Sequence, residues 1–133
     1  MPIQQNFIYG VTDARGANPQ TWTVAVQGDG ENNRVITLPG GGSVDVEMAW
    51  DYTRLKGFVF YSAGVYDLVL NPDTSEEETV PAVGGGYPMI WDHQSGLPYP
   101  FENGTVSEVR LVSQQTDEQE VTIRAVIDAT PGA

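Results

Sequence analysis

Apolar and polar residues alternate along two segments of the chain, Ser43 to Trp50 and Glu120 to Asp128. Successive side chains of a β-strand point to opposite faces, so this alternation predicts strands with one apolar face and one wet face. The apolar positions are Val44, Val46, Met48 and Trp50 in the first segment and Val121, Ile123, Ala125 and Ile127 in the second. No segment has the apolar spacing of a long amphipathic helix.

Further apolar runs predict two hairpins and three separate strands. Thr21 to Gln27 and Arg34 to Leu38 flank a polar, Gly-containing loop, which is typical of a hairpin with a long connection. Gly57 to Ser62 and Val65 to Asn71 flank Ala63-Gly64, which indicates a second hairpin. The separate strands are Phe7 to Val11, Tyr87 to Trp91 and Thr105 to Ser113. Together these segments predict about nine strands.

Glycine and proline complete the fold-class prediction. The chain contains 15 Gly and 9 Pro, which recur between the short apolar runs. Many short antiparallel strands separated by such turns favour an all-β, antiparallel β-sandwich of jelly-roll type, with a closed barrel as the alternative. The 133 residues fit a single domain, 1–133. Residues 1–11 are predicted as an N-terminal arm or edge strand, and 72–86 and 92–103 as irregular loops.

The charge balance narrows the class of partner. The chain has 18 acidic and 6 basic residues, for a net charge of -12, and phosphate binding needs clustered Lys and Arg, so we expect no nucleic-acid partner. Hydrophobic residues make up 40% of the chain, which is enough for a folded core. The chain starts without a signal-peptide pattern and contains no long apolar window, so we expect no membrane partner. The absence of Cys excludes disulfides and thiol chemistry.

The candidate catalytic groups form no recognisable motif. His93 is the only histidine, and although an acid precedes it, a catalytic triad needs groups that converge in space rather than in sequence. Asp45 and Glu47 share the wet face of a strand, which lacks the apolar wall that raises the pKa of a general acid. We therefore predict no enzyme, no catalytic residue, no cofactor and no metal site. The acidic loops at 29–33 and 76–78 lack the EF-hand spacing, and calcium binding there stays open.

Aromatic residues in two segments are the predicted protein-contact residues. Trp91, Tyr99 and Phe101 lie in or beside a Pro-rich stretch, which is stiff enough to present side chains at low entropic cost. Phe7 and Tyr9 lie in the N-terminal segment, which is suited to adding a strand to a neighbouring subunit.

Three further segments carry a likeness to a known family. They are Leu38-Pro39-Gly40-Gly41-Gly42-Ser43-Val44-Asp45-Val46, Arg54-Leu55-Lys56-Gly57-Phe58-Val59-Phe60 and Val65-Tyr66-Asp67-Leu68-Val69-Leu70. This arrangement resembles tailed-phage capsid decoration, or cement, proteins, in which a Gly- or Pro-led turn introduces a strand that places apolar residues in the core. The resemblance covers residues 20–71 and the final strand.

The resemblance implies a non-enzymatic structural protein of the virion. Such a protein binds the outer face of the assembled capsid, contacts the major capsid protein and bridges neighbouring coat subunits. We expect a homo-oligomer, a dimer or a trimer, on the shell, because several weak contacts then act together.

A carbohydrate- or receptor-binding β-sandwich module, of the tail or fibre type, is the alternative. It predicts solvent-exposed, coplanar aromatic rings. Trp22 and Trp50 are in phase with the apolar residues of their strands and are predicted as core. An enzyme would instead require a pocket with perturbed carboxylates or an oriented His93.

Overall fold

The computed structural model describes residues 3–11, 20–28, 30–51, 53–94 and 98–127. These residues form ten β-strands and no helix, so none of them belongs to a helix that could span a membrane. The strands are β1 (Ile3–Val11), β2 (Gln20–Gly28), β3 (Gly30–Leu38), β4 (Ser43–Asp51), β5 (Leu55–Tyr61), β6 (Val65–Leu70), β7 (Glu78–Gly84), β8 (Met89–Asp92), β9 (Thr105–Ser113) and β10 (Gln119–Ile127).

Strands β3 to β10 form two four-stranded antiparallel sheets. The order in sheet 1 is β3-β10-β5-β8, and the order in sheet 2 is β4-β9-β6-β7. Each of the first four strands therefore pairs with one of the last four in reverse order: β3 with β10, β4 with β9, β5 with β8, and β6 with β7. A long two-stranded ribbon rolled up in this way is a jelly roll. The structure thus confirms the predicted all-β, antiparallel sandwich of jelly-roll type.

The apolar core lies between the two sheets, at the positions that the alternation predicts. The buried set includes Val46, Met48 and Trp50 of β4 and Val121, Ile123 and Ala125 of β10. Val44 and Ile127 are partly buried at the margin of the core, whereas Asp45 and Glu47 are exposed. Burial of each large apolar side chain stabilises the sandwich by about 1.5–3 kcal/mol.

Both predicted hairpins are wrong in their pairing. β2 pairs with β1, and β3, which begins at Gly30 rather than at Arg34, pairs with β10. β5 and β6 lie in different sheets, so the Ala63-Gly64 turn carries the chain from sheet 1 to sheet 2. Alternation of apolar residues reveals which face of a strand is buried and carries no information about which strand lies beside it.

The predicted irregular segment 72–86 contains a strand, β7, from Glu78 to Gly84. β7 is an edge strand in which Val83 is the one buried residue, and it includes Pro81, a residue that sheets tolerate mainly at their edges. The register with β6 shifts between Tyr66 and Leu68, which breaks the regular alternation that would have revealed the strand. In the other irregular segment, 92–103, the described residues beyond Asp92 form no strand.

A separate two-stranded sheet, β1 with β2, covers part of the outer face of sheet 1. β1, which corresponds to the predicted N-terminal arm or edge strand, pairs with β2 of its own chain along its whole length. Both strands contact β10, and β2 also contacts β5. Val126 of β10 and its neighbour Gly57 of β5 occupy outward positions yet are buried. The small sheet therefore forms a partial third layer over that end of sheet 1.

Candidate functional site

The Pro-rich segment 98–103 closes one end of the sandwich with aromatic rings. Phe101 is only 6% exposed and stacks on Phe58 and Trp50, with ring centroids 5.5 and 6.3 Å apart. Trp91, only 7% exposed, stacks on Phe58 at 6.2 Å. Tyr99 packs edge-on against both Trp91 and Phe101. Aromatic pairs of this geometry add about 0.5–1.5 kcal/mol each to the stabilisation from burial, so this segment belongs to the core.

The Tyr99 hydroxyl links the segment to β4. It accepts a hydrogen bond from Trp50 Nε1 at 3.0 Å and donates one to the Asn103 carbonyl at 3.0 Å. Burial raises the pKa of Tyr99 to about 12, so the hydroxyl stays protonated and able to donate at neutral pH. The Trp50 indole N–H and the Tyr99 hydroxyl are therefore both satisfied within the chain.

Glu78, at the start of β7, anchors the same segment through its carboxylate. It accepts hydrogen bonds from the backbone N–H groups of Glu102 and Asn103 and from the Asn103 side-chain amide, at 2.9 to 3.2 Å. The Asn103 amide also donates to the Glu76 carbonyl. Among the described residues, no group of three or more acidic or histidine side chains is placed to hold a metal ion. The acidic run 76–78 thus has a structural partner in the chain.

The structure places the predicted contact residues of the Pro-rich stretch in the core or at its margin. Trp91 and Phe101 are buried and Tyr99 is half-buried, so these side chains lack the free surface that a contact anchor requires. Tyr99 and Phe101 are two residues apart and therefore share one side of an extended segment, a spacing that indicates a core-facing strand as much as a binding loop. The side chains of Phe7 and Tyr9 lie outside the described residues, although both positions belong to β1.

His93 and Asp92 occupy a turn at the end of β8. The buried carboxylate of Asp92 accepts a hydrogen bond from the Gln94 backbone N–H at 2.9 Å, and the His93 backbone N–H donates to the Lys56 carbonyl. Partial burial lowers the pKa of His93, with a further contribution from the charge of Lys56. The Asp92 contact is that of a turn, the His93 backbone contact extends the β5–β8 ladder by one residue, and the His93 ring is exposed.

The outer face of sheet 2 is strongly acidic, and we call it the acidic face: Asp45, Glu47, Asp67, Asp73 and Glu108, with Arg110 among them. Arg110 bridges Asp45 at 2.7 Å and Asp73 at 2.9 Å. Its hydrogen bonds and charge lower the pKa of both carboxyl groups. Glu47 and Glu108 lie directly opposite each other in the register of β4 and β9. Neither has an ion-pair partner among the described residues.

The small sheet leaves part of the outer face of sheet 1 uncovered, and we call this part the open face. Unlike the acidic face, it carries apolar side chains together with charges of both signs. Its members include Val35, Val59, Tyr61, Ile90, Glu120, Thr122 and Arg124, with Asn33 and Thr37 beside them on β3. Val35 is 64% exposed and Tyr61 41%. A depression of about 130 Å³ lies between β3 and β10 beside Arg124. Ordinary ligand pockets have volumes of roughly 300–1,000 Å³, so this depression is smaller than a typical small-molecule site. The open face is therefore better suited to contact with the surface of another protein.

Comparisons with known proteins give a likeness in structure and none in sequence. No family model and no curated protein matches the sequence. Among solved structures, the chain is similar to the Yersinia pseudotuberculosis-derived mitogen, with a TM-score of 0.44 and 11% sequence identity. The similarity covers 75% of this chain and 87% of the mitogen. A likeness at this level carries no conclusion about function.

Proposed function

We propose that this protein is a non-enzymatic structural protein of a virion, which binds the outer face of a capsid and bridges neighbouring coat subunits. The acidic face is the proposed contact with the major capsid protein. The observation that carries the proposal is the facing pair of Glu47 and Glu108 on an exposed sheet surface.

Like charges directly opposite each other on neighbouring strands destabilise a sheet. Arg110, the cation nearest to this pair in the register, is held by Asp45 and Asp73. A basic patch on a partner would relieve the repulsion between Glu47 and Glu108. Acidic side chains displayed on a rigid sheet also steer association with a basic surface and set its orientation.

The fold supports this role by analogy. Jelly rolls are common among viral capsid domains, and they also occur among lectins. Fold analogy alone does not assign a function, so the proposal depends on the acidic face.

The alternative function as a carbohydrate- or receptor-binding module depended on an exposed platform of stacked aromatic rings. The stacked rings of Trp50, Trp91 and Phe101 lie in the core. The large aromatic side chains exposed in the described part of the chain are Tyr61 and Tyr87. No observation favours this alternative over the capsid role.

The proposal is tested by reversing charge on the acidic face. A double variant, Glu47→Lys with Glu108→Lys, changes the net charge by four units and keeps two like charges opposite each other, so the fold should be retained. The matched control, Asp117→Lys with Glu118→Lys, makes the same change in net charge at exposed positions of the β9–β10 turn. Each protein is mixed with capsids that lack decoration, and bound protein is quantified after sedimentation.

We expect the parent and the turn control to bind with affinities within about threefold of each other, and the acidic-face variant to bind at least about tenfold more weakly. Binding of the parent should also weaken as the salt concentration rises, because exposed charges are screened. Equal binding by the acidic-face variant would place the contact elsewhere. A parent that does not bind capsids would remove the decoration function itself.

A further inference from the structure

The depression on the open face gathers three side chains whose hydrogen-bond donors are unused. Arg124 of β10 faces Asn33 of β3 in one row of the sheet, and Thr122 faces Val35 in the next row. All four residues line the depression, which has a volume of about 130 Å³. The guanidinium of Arg124, the side-chain NH2 group of Asn33 and the hydroxyl of Thr122 donate to no residue that the structure describes.

The local charge at the depression is opposite to that of the molecule. The chain has 18 acidic and 6 basic residues, yet the residues that line the depression include two arginines and no acidic residue. Arg34 and Ile123 lie between the two rows, so alternation turns their side chains away and leaves their backbone as the floor. Arg124 is therefore the cation that a ligand in the depression meets.

Gln5 of β1 fixes the orientation of one wall of the depression. Its Nε2 group donates a hydrogen bond to Asn33 Oδ1 at 3.1 Å. Because the amide of Asn33 is planar and its oxygen is turned to Gln5, its NH2 group is directed away from Gln5 and is available to donate elsewhere. The small β1–β2 sheet thus holds this donor in place at the edge of the open face.

We infer that the depression binds a single carboxylate group, carried by an Asp or Glu side chain of a partner protein. A carboxylate has two oxygens with about four acceptor positions. Arg124 fills two of these positions as a bidentate pair, and Asn33 and Thr122 fill one each. The methylene group next to the carboxylate packs on Val35, which is 64% exposed.

The size and charge of the depression favour a carboxylate over other anions. A volume of 130 Å³ holds about four waters at about 30 Å³ each, which is the size of a carboxylate with one methylene group attached. A nucleotide or a sugar ring is too large for this space. The single guanidinium balances one negative charge, whereas a phosphate dianion would be repelled by a chain with a net charge of -12.

The openness of the depression favours a protein side chain over a free acid. Asn33 and Arg124 are both exposed, so a small acid would stay in contact with water, and an ion pair exposed to water is weak. A partner protein would also cover Val35 and the nearby Tyr61 and exclude water from around the ion pair. The depression lies on sheet 1, so it does not depend on the proposed capsid contact on sheet 2.

The test follows ligand binding to the 15N-labelled full chain by NMR. The probes are sodium acetate, the blocked tripeptide acetyl-Ala-Glu-Ala-amide and its counterpart with Gln in place of Glu. Each probe is compared with sodium chloride at the same ionic strength, because salt alone screens exposed charges. The signals to follow are the Arg124 Nε–H, the Asn33 side-chain NH2 and the Thr122 backbone N–H.

Two substitutions at the depression and one elsewhere separate specific binding from general attraction. Arg124→Gln removes the cation. Asn33→Asp keeps an acceptor for Gln5 and replaces the donor with a charge that repels a carboxylate. The matched control, Arg54→Gln, makes the same charge change as Arg124→Gln at an exposed position of the β4–β5 turn. All three positions are exposed, so the variants should fold, and the dispersion of their NMR spectra checks this.

We expect the parent to bind the Glu peptide with a dissociation constant of about 1–20 mM and to bind acetate at least about threefold more weakly. The Gln peptide should give no saturable shifts. Both variants at the depression should bind the Glu peptide at least about tenfold more weakly, and Arg54→Gln should match the parent within about twofold.

The inference is overturned if the Glu peptide shifts the parent's signals no more than sodium chloride or the Gln peptide does. It is equally overturned if Arg124→Gln and Asn33→Asp bind the Glu peptide as tightly as the parent, since the contact then lies elsewhere. Acetate that binds as tightly as the Glu peptide would show a site for free acids and would overturn the assignment to a protein side chain.

Discussion

The two ends of the sandwich are closed by different chemistry. At the end formed by segment 98–103, Phe101 and Tyr99 fill the space between the sheets with aromatic rings. At the opposite end, Gln119 is buried and its side chain holds both sides of the Ala63-Gly64 turn: it accepts from Ser62 Oγ at 2.7 Å and donates to the Val65 carbonyl at 3.0 Å. In the sequence, aromatic residues in a Pro-rich loop resemble a binding site, yet in this structure their rings fill the core between the two sheets. Interaction surfaces are therefore better sought on the outer faces of the sheets.

The largest effect is expected at the aromatic end. Phe101→Ala would remove a ring that contacts Trp50, Phe58 and Tyr99 and would leave a cavity. We expect the free energy of unfolding, measured by denaturant titration, to fall by about 3–5 kcal/mol. A fall of less than about 1 kcal/mol would show that the loop is not part of the core.

The polar end should respond less strongly. Gln119→Met keeps the side-chain volume but removes the acceptor of the Ser62 hydroxyl and one of the two donors to the Val65 carbonyl, which keeps the Gln114 backbone N–H. Leaving the buried Ser62 hydroxyl without an acceptor should lower the free energy of unfolding by about 1–3 kcal/mol. The exposed Gln114→Met serves as the control and should change it by under about 0.5 kcal/mol. If the two variants had the same free energy of unfolding, the hydrogen bonds of the Gln119 side chain would not be what stabilises this end.

Removal of the loop anchor should have an intermediate effect. Glu78→Ala would leave the backbone N–H groups of Glu102 and Asn103 without their carboxylate acceptor. Because these groups are partly accessible to water, we expect a loss of about 1–2 kcal/mol in thermal or denaturant unfolding. Glu76→Ala, two residues earlier and exposed, should be nearly neutral. The anchoring role fails if both substitutions have the same effect.

The smallest effect is expected at Tyr66, near the polar end. Its buried hydroxyl makes no hydrogen bond with any described residue, and burial raises its pKa. Tyr66→Phe removes this unsatisfied group without changing the shape of the ring. Calorimetry should show a stability that is unchanged or higher by up to about 1 kcal/mol. A clear loss of stability would reveal a partner for the hydroxyl.

Much of the fold could be predicted from the sequence, because the alternation of apolar and polar residues indicates which side chains of a strand are buried. Ser43 to Trp50 and Thr105 to Ser113 match β4 and β9 to within one residue. Strand pairing was missed because a jelly roll joins strands that are distant in sequence, and no local pattern encodes those partners. The site was predicted less well, since the open face arises only when β3, β10 and β5 lie side by side. Positions such as Val35 and Arg124 belong to separate segments and show no common motif.

Hydroxyl-radical footprinting of the dilute, folded monomer, analysed by mass spectrometry, tests the central claim most directly. The claim is that the aromatic loop is core and that the outer faces are available for contact. We predict strong labelling of the exposed Tyr61 and Tyr87, and labelling of Trp91 and Phe101 that stays low until the protein is unfolded. Labelling of Trp91 and Phe101 at the level of Tyr87 in the folded monomer would contradict the claim and return the contact surface to the Pro-rich loop.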